Sequence, residues 1–307
     1  MESKIKTKIL ITGANGNLGK KLGNFLLNFN NIEIINLIKS EQNEILHDEN
    51  HNQIIKSNIS NIEYLRNVIN EIDVVIHLAF PNNKSKFSKK EILKIIKINN
   101  SFFNLMVEKK VKKFIYLSTA KIKIYEELNN LNTSNYESCK LKIENEFLNI
   151  AKNNNINLVI LRAGIVYGSN INNNFSKYID LIKKNNFIPL ISKKIYKNII
   201  FIDYFLNGIL YILKKNDSYS KPVYLYERNI NLLEFTLKIQ KILRVKNKII
   251  ILPNFIIIIL KFTRLYQVIF KSLYDSFYIK EKSIYKIADD QLSEKVFYHN
   301  MSKSFEL

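Results

Sequence analysis

Thr12-Gly13-Ala14-Asn15-Gly16-Asn17-Leu18-Gly19 lies between an apolar run and an amphipathic pattern, and this placement constrains the chain more than the glycines alone do. Ile9, Leu10 and Ile11 read as a buried strand. Beyond Gly16, the apolar residues Leu18, Leu22, Phe25, Leu26 and Phe29 recur at helical spacing. Strand, glycine turn and helix in that order form the context in which such a loop binds a dinucleotide. Gly13 permits the tight turn, Gly16 lets the backbone approach a pyrophosphate, and Gly19 lets the helix pack on the strand. The helix N-terminus offers its N–H groups to the phosphates. Asn15, Asn17 and Leu18 share the loop and are expected beside the cofactor.

The first half of the chain repeats this alternation. Apolar runs predict strands at 33–38, 53–56, 73–79, 114–118 and 158–162, and helical spacing recurs at 62–69, 91–109 and 136–151. Residues 73–79 are nearly all apolar, as a parallel strand covered on both faces should be. This rhythm predicts an α/β fold, a Rossmann-type doubly wound parallel sheet built from right-handed crossovers. After Gly168 the rhythm loosens. Helices are expected at 175–184, 203–214 and 232–243, with a strand at 222–225. The chain is therefore divided into a dinucleotide-binding domain, 1–168, and a smaller mixed substrate-binding region, 169–307, partly interleaved with it.

Composition narrows the partners. The formal net charge is +20, but lysine, asparagine and isoleucine are abundant throughout and the lysines are scattered. No nucleic-acid-binding motif is present, so no nucleic-acid partner is expected, although the charge favours a diphosphate ligand. The lone Cys139 and four unclustered histidines offer no metal site. No apolar signal region precedes the first strand, which favours a cytoplasmic protein. Residues 249–270 are rich in isoleucine, yet Pro253, Asn254, Lys261 and Arg264 interrupt them short of a bilayer span. A buried helix, a dimer contact and a peripheral helix at the inner membrane face all fit this segment.

Tyr136 and Lys140 carry the second signal. Ser134 and Glu137 have the spacing of a capping box, which would start a helix before Tyr136 and put Tyr136 and Lys140 one turn apart on one face. A neighbouring ammonium favours the phenolate, so the pair can transfer protons beside a cofactor. Ser118 and Thr119 fall at the carboxyl end of a strand, the edge where open α/β sheets bind ligands. A hydroxyl there can bond a substrate oxygen that cycles between alcohol and ketone.

These residues resemble those of the extended short-chain dehydrogenase/reductases, in the NAD-dependent epimerase/dehydratase family that modifies nucleotide sugars. Thr12-Gly13-x-x-Gly16-x-x-Gly19, His77-Leu78-Ala79 and Leu117-Ser118-Thr119 match its motifs in order. So do Tyr136-x-x-x-Lys140, Leu161-Arg162 through Val166-Tyr167-Gly168, and Phe201-Ile202-Asp203. The resemblance implies that Gly13, Gly16 and Gly19 hold the cofactor diphosphate. Leu78 and Ala79 border the cofactor, as does Asn99 or Asn100 on the following helix. Lys140 binds the nicotinamide ribose and tunes Tyr136, the acid/base. Thr119 orients a substrate also met by Ser118 and Arg162. The implied reaction is hydride transfer at C4 of a nucleotide-linked hexose, by epimerisation or ketoreduction in polysaccharide assembly, in a protein that is a homodimer.

Three departures from the family pattern narrow this. Ala120-Lys121 follow Thr119 where 4,6-dehydratases carry Asp-Glu, so dehydration is not expected. The stretch from Thr119 to Tyr136 is short and lacks proline, and Tyr125-Glu126 replaces the usual Tyr-Gly. Lys39 follows the second strand, where an acidic residue would select NAD. It tilts the choice between NAD and NADP toward NADP, with Glu41 nearby opposing it. Asn58 stands where an aspartate often meets adenine. A non-catalytic cofactor-sensing protein on the same fold, or a membrane-associated dehydrogenase of a lipid-like substrate, are the alternatives. Retention of Tyr136 beside Lys140 and Thr119 argues against the first.

Overall fold

The computed structural model describes residues 6–49, 52–81, 87–127, 136–171, 173–217, 219–253, 255–256, 276, 278–288 and 293–304. The chain forms two units. The first comprises Met1–Arg162 and Asn216–Val223, and the second Ala163–Lys215 and Tyr224–Leu307. The break falls at Arg162, just ahead of the Gly168 boundary read from the sequence.

The first unit contains β1 (Thr7–Thr12), α1 (Asn17–Leu26), β2 (Ile32–Ile38), β3 (Glu44–His47), β4 (Gln53–Lys56), α2 (Ile62–Val68), β5 (Val74–His77), α3 (Lys89–Glu108), β6 (Lys113–Thr119), α4 (Ile122–Glu127), α5 (Tyr136–Asn154) and β7 (Asn157–Ala163). Its strands lie in the order β7-β6-β5-β1-β2-β4-β3. β1 pairs in parallel with β2 on one side and β5 on the other. The order of connection reverses at β1, so the carboxyl ends of β1 and β5 form the switch point where such sheets bind ligands.

Ile9, Leu10 and Ile11 are buried to 1% exposure or less, as expected for a central strand. On one face of the sheet, Leu10, Val75, Phe114 and Tyr116 pack with Phe102, Phe103 and Phe147. Phe103 and Phe147 belong to α3 and α5, and their ring centroids are 4.5 Å apart. α3 begins at Ser88, whose hydroxyl accepts from the Glu91 N–H while the Glu91 carboxylate accepts from the Ser88 N–H. That capping box fixes where the helix starts.

The antiparallel edge strand β3 was not legible in the sequence. Its Ile45 and Leu46 are both exposed, so no alternation marks it, and pairing with β4 alone defines it. The expected capping residue Ser134 lies outside the described residues.

The second unit contains β8 (Ile165–Tyr167), α6 (Asn174–Lys184), β9 (Phe187–Leu190), β10 (Tyr196–Phe201), α7 (Ile202–Lys214), β11 (Val223–Leu225), β12 (Arg228–Asn231), α8 (Leu232–Leu243), β13 (Lys248–Ile251) and α9 (Glu294–Ser304). Its small sheets run β12-β10-β8 and β13-β9. A buried carboxylate organises the former. Glu227 accepts from the Tyr167 hydroxyl at 2.8 Å, the Phe201 N–H at 3.1 Å and Arg228 Nε at 2.9 Å. The short strands β8, β9, β12 and β13 were not predicted, because three or four residues are too few to show a period.

The helical readings of 249–270 are corrected at their start: residues 249–251 are extended in β13, paired in parallel with β9. Three consecutive β-branched isoleucines favour a strand once a partner is available. Residues 257–270 lie outside the described residues. Among the described residues no helix is long and apolar enough to cross a membrane.

A directed chain of hydrogen bonds crosses the switch point. The Ala79 N–H donates to Thr12 Oγ1 at 3.1 Å, and Thr12 Oγ1 lies 2.8 Å from His77 Nδ1. His77 Nε2 is 2.9 Å from Asn99 Oδ1, and Asn99 Nδ2 donates to the Ile95 carbonyl at 2.8 Å. One assignment satisfies every member: Thr12 donates to Nδ1 and His77 donates from Nε2. His77 is fully buried, and burial holds its pKa down to about 4 from 6.5. Between these values the unfolded chain binds more protons than the folded one, so stability is complete above pH 6.5 and falls as the pH drops toward 4. The loss should reach about 3 kcal/mol. Urea unfolding measured across this window should show that slope, and His77→Gln should flatten it.

Candidate active site

Three segments of the first unit meet at the carboxyl edge of its sheet. The Gly13 loop follows β1, Leu78-Ala79-Phe80 follows β5, and Thr119 ends β6. Gly13 has φ +68°, in the left-handed region where a side chain is strained. A Cβ on it would lie 3.0 Å from the Ala79 nitrogen, so glycine also allows the two loops to touch. Gly19 packs back on this turn, and a Cβ there would lie 2.7 Å from Ala14 Cα. Gly16 is the N-cap of α1 with extended backbone, and no side chain caps the helix among the described residues. Asn15, Gly16 and Asn17 are exposed, while Leu18 is half-buried. A tight turn, close backbone packing and a helix start without a side-chain cap fit a dinucleotide diphosphate.

The acid/base candidates stand on α5. Lys140 is 3% exposed, and its Nζ donates to the Leu117 carbonyl at 2.6 Å. The ammonium also lies 4.6 Å from the ring centroids of both Phe80 and Tyr116, and 5.7 Å from that of Tyr136. Burial lowers its pKa to about 7, with the Glu144 carboxylate acting in the opposite sense. Tyr136 is half-buried, with Phe80 edge-on at 4.9 Å. Burial first, then the Glu137 carboxylate, raises the Tyr136 phenol above its usual range. The free protein therefore holds Tyr136 protonated, and added positive charge nearby would ease its ionisation.

Strand alternation separates the two β6 hydroxyls. Ser118 is buried, whereas Thr119 is half-buried at the strand end. Thr119 Oγ1 accepts from the Lys121 N–H at 3.3 Å. Of the two hydroxyls, Thr119 is the more exposed.

Other predicted residues serve different ends. Arg162, expected to face a substrate, is instead buried within β7. Its Nη2 donates to Glu144 Oε2 and Glu126 Oε1, both at 2.6 Å, and its Nη1 to Glu126 Oε2 at 2.9 Å. A guanidinium removed from water needs such carboxylates, and these hold it inside the unit. Asn99 turns inward to His77 rather than outward. Asn58 sits after β4, and its Oδ1 accepts from the Ser60 N–H at 3.1 Å, closing a local turn. Lys39 is exposed just past β2.

Phe80, Tyr116 and the Lys121–Glu137 pair were missed in the sequence. An aromatic directly after His-Leu-Ala was the available signal for Phe80. Cys139 is buried, and burial pushes its thiol up to about 11, so it is an inert packing group.

A family model described as the NAD dependent epimerase/dehydratase family matches residues 9–231. No curated protein matches the chain. Among solved structures, UDP-glucose 4-epimerase from Thermotoga maritima is similar over 98% of each chain, at 14% identity and TM-score 0.68. UDP-glucuronic acid 4-epimerase from Bacillus cereus, in complex with UDP-glucuronic acid and NAD, is 22% identical, with TM-score 0.63 over 80% of this chain and 86% of that one. An NAD-dependent NDP-hexosamine 5,6-dehydratase of tunicamycin biosynthesis is 16% identical, with TM-score 0.60 over 81% and 86%. The family is NAD-dependent, which lends no support to the NADP tilt read from Lys39.

Two glycines of α1 give a test. Gly19→Ala should weaken NAD+ binding ~10-fold or more by calorimetry, because its Cβ forces the turn apart. Gly23→Ala meets only Asn36 Oδ1 at 3.7 Å, so NAD+ affinity should persist and the melting temperature should hold or rise.

Proposed function

Because the chain belongs to the NAD dependent epimerase/dehydratase family, we propose that it is a 4-epimerase or 4-ketoreductase of a nucleotide-linked hexose, with Tyr136 as acid/base. The observation that carries this reading is the buried Lys140 ammonium beside Tyr136, one turn along α5. The likeness to the solved 4-epimerases supports the choice of C4.

The cofactor would lie along the Gly13–Gly19 turn and beside Leu78 and Ala79. When bound, it would supply a hydride acceptor and donor for C4 and, in its oxidised form, positive charge. Tyr136 removes the proton from the sugar 4-hydroxyl during oxidation and returns it during reduction. Lys140 stabilises the phenolate between these steps, and the Leu117 carbonyl fixes its direction. Thr119 bonds the same sugar oxygen. Phe80 packs against Tyr136 and restricts water at the phenol.

Dehydration is not part of the proposal. Loss of water needs an acid and a base beyond the threonine. Ala120 supplies neither, and the Lys121 ammonium is 2.8 Å from Glu137.

Purified protein with NAD+ should convert one member of a panel of UDP-glucose, UDP-N-acetylglucosamine and UDP-glucuronic acid into its 4-epimer. Net consumption of reduced cofactor with a 4-keto sugar would identify the ketoreductase instead. Tyr136→Phe should lower turnover by ~10²–10⁴ while leaving NAD+ affinity within a few-fold. Turnover surviving in that variant would remove Tyr136 from the chemistry.

A further inference from the structure

We propose that Lys121 is a positioning residue: it ties the Thr119 turn to the first turn of α5 and screens the Tyr136 phenol from the Glu137 carboxylate. This rests on the reading of Tyr136 as acid/base. Lys121 stands between β6 and α4. Its backbone N–H reaches Thr119 Oγ1 at 3.3 Å, and its carbonyl accepts from the Ile124 N–H at 3.2 Å, which starts α4. Its side chain runs the other way, placing Nζ 2.8 Å from Glu137 Oε1. The two side chains are only 17% and 11% exposed, so solvent screens this pair far less than a surface pair. One residue thus touches Thr119 through its backbone and α5 through its ammonium.

Glu137 directly follows Tyr136, where a carboxylate suits a helix N-terminus but opposes ionisation of the neighbouring phenol. Among the described residues, the groups near Tyr136 are Glu137, Cys139 and Lys140 on α5 and Tyr116 on β6, with the neutral Phe80 ring closing the side after β5. Lys140 favours the phenolate. Glu137 disfavours it, and Lys121 is the cation paired with Glu137. The position that carries an acid in 4,6-dehydratases therefore holds a cation directed at the helix rather than at a substrate.

The test reads the phenol directly. Protein carrying tyrosine labelled with carbon-13 at Cζ is saturated with NAD+, whose positive charge eases the ionisation, and titrated from about pH 6 to about pH 11, and the Tyr136 resonance is assigned with Tyr136→Phe. Lys121→Met should move Tyr136 ionisation upward by about one unit, while Lys121→Arg should leave it in place. Adding Glu137→Gln to Lys121→Met should bring it back. If Lys121→Met does not fold by circular dichroism, Glu137→Gln alone should move the ionisation downward. An unmoved Tyr136 in folded Lys121→Met, or no return in the double variant, would overturn the proposal. No substrate is needed. Turnover surviving Tyr136→Phe would remove the acid/base reading and leave the electrostatic result standing.

Discussion

A single buried ammonium imposes the arrangement around it. Removing a charge from water costs several kcal/mol, and only close partners offset this. Lys140 has the Leu117 carbonyl at 2.6 Å and two aromatic faces at 4.6 Å. A desolvated cation–aromatic contact contributes about 2 kcal/mol, so the two rings are part of the support rather than packing alone. These partners come from β6 and from the loop after β5. Holding Lys140 therefore fixes the position of Tyr136 on the same helix and of Phe80 against it. Burial leaves Lys140 with a pKa of about 7, far more readily deprotonated than an exposed lysine.

The nucleotide edge of the first unit depends on a different network. Thr12, His77 and Asn99 join β1, β5 and α3 through neutral, fully satisfied hydrogen bonds. Such a network adds direction to a core that apolar packing alone would leave less specific. It places Ala79 against Gly13, and the absence of a Cβ on Gly13 completes the contact. Arg162 shows the same rule for a cation, held by two carboxylates within one unit.

Much of the first unit was legible from the residues. Its parallel strands are short apolar runs, and both α3 and α5 carry an apolar periodicity. The Gly13 loop, Tyr136, Lys140 and Thr119 were found because their chemistry depends on local spacing. Other features escaped. β3 has no apolar alternation, and Phe80 looks like any core aromatic. The inward turn of Asn99 depends on His77, 22 positions away along the chain. Arg162 resembles a substrate-facing residue until Glu126 and Glu144 are seen around it.

The sequence by itself determined the α/β class, the glycine turn and the one-turn spacing of Tyr136 and Lys140, because each is set by dihedral preference and periodicity within a few residues. Only the tertiary structure decided which charged groups face a ligand and which face one another. It paired Lys121 with Glu137, enclosed Arg162 between carboxylates and drew 249–251 into a strand beside β9. The physical reason is that charge pairing and strand pairing depend on distances in space, which are set only when separate elements pack together.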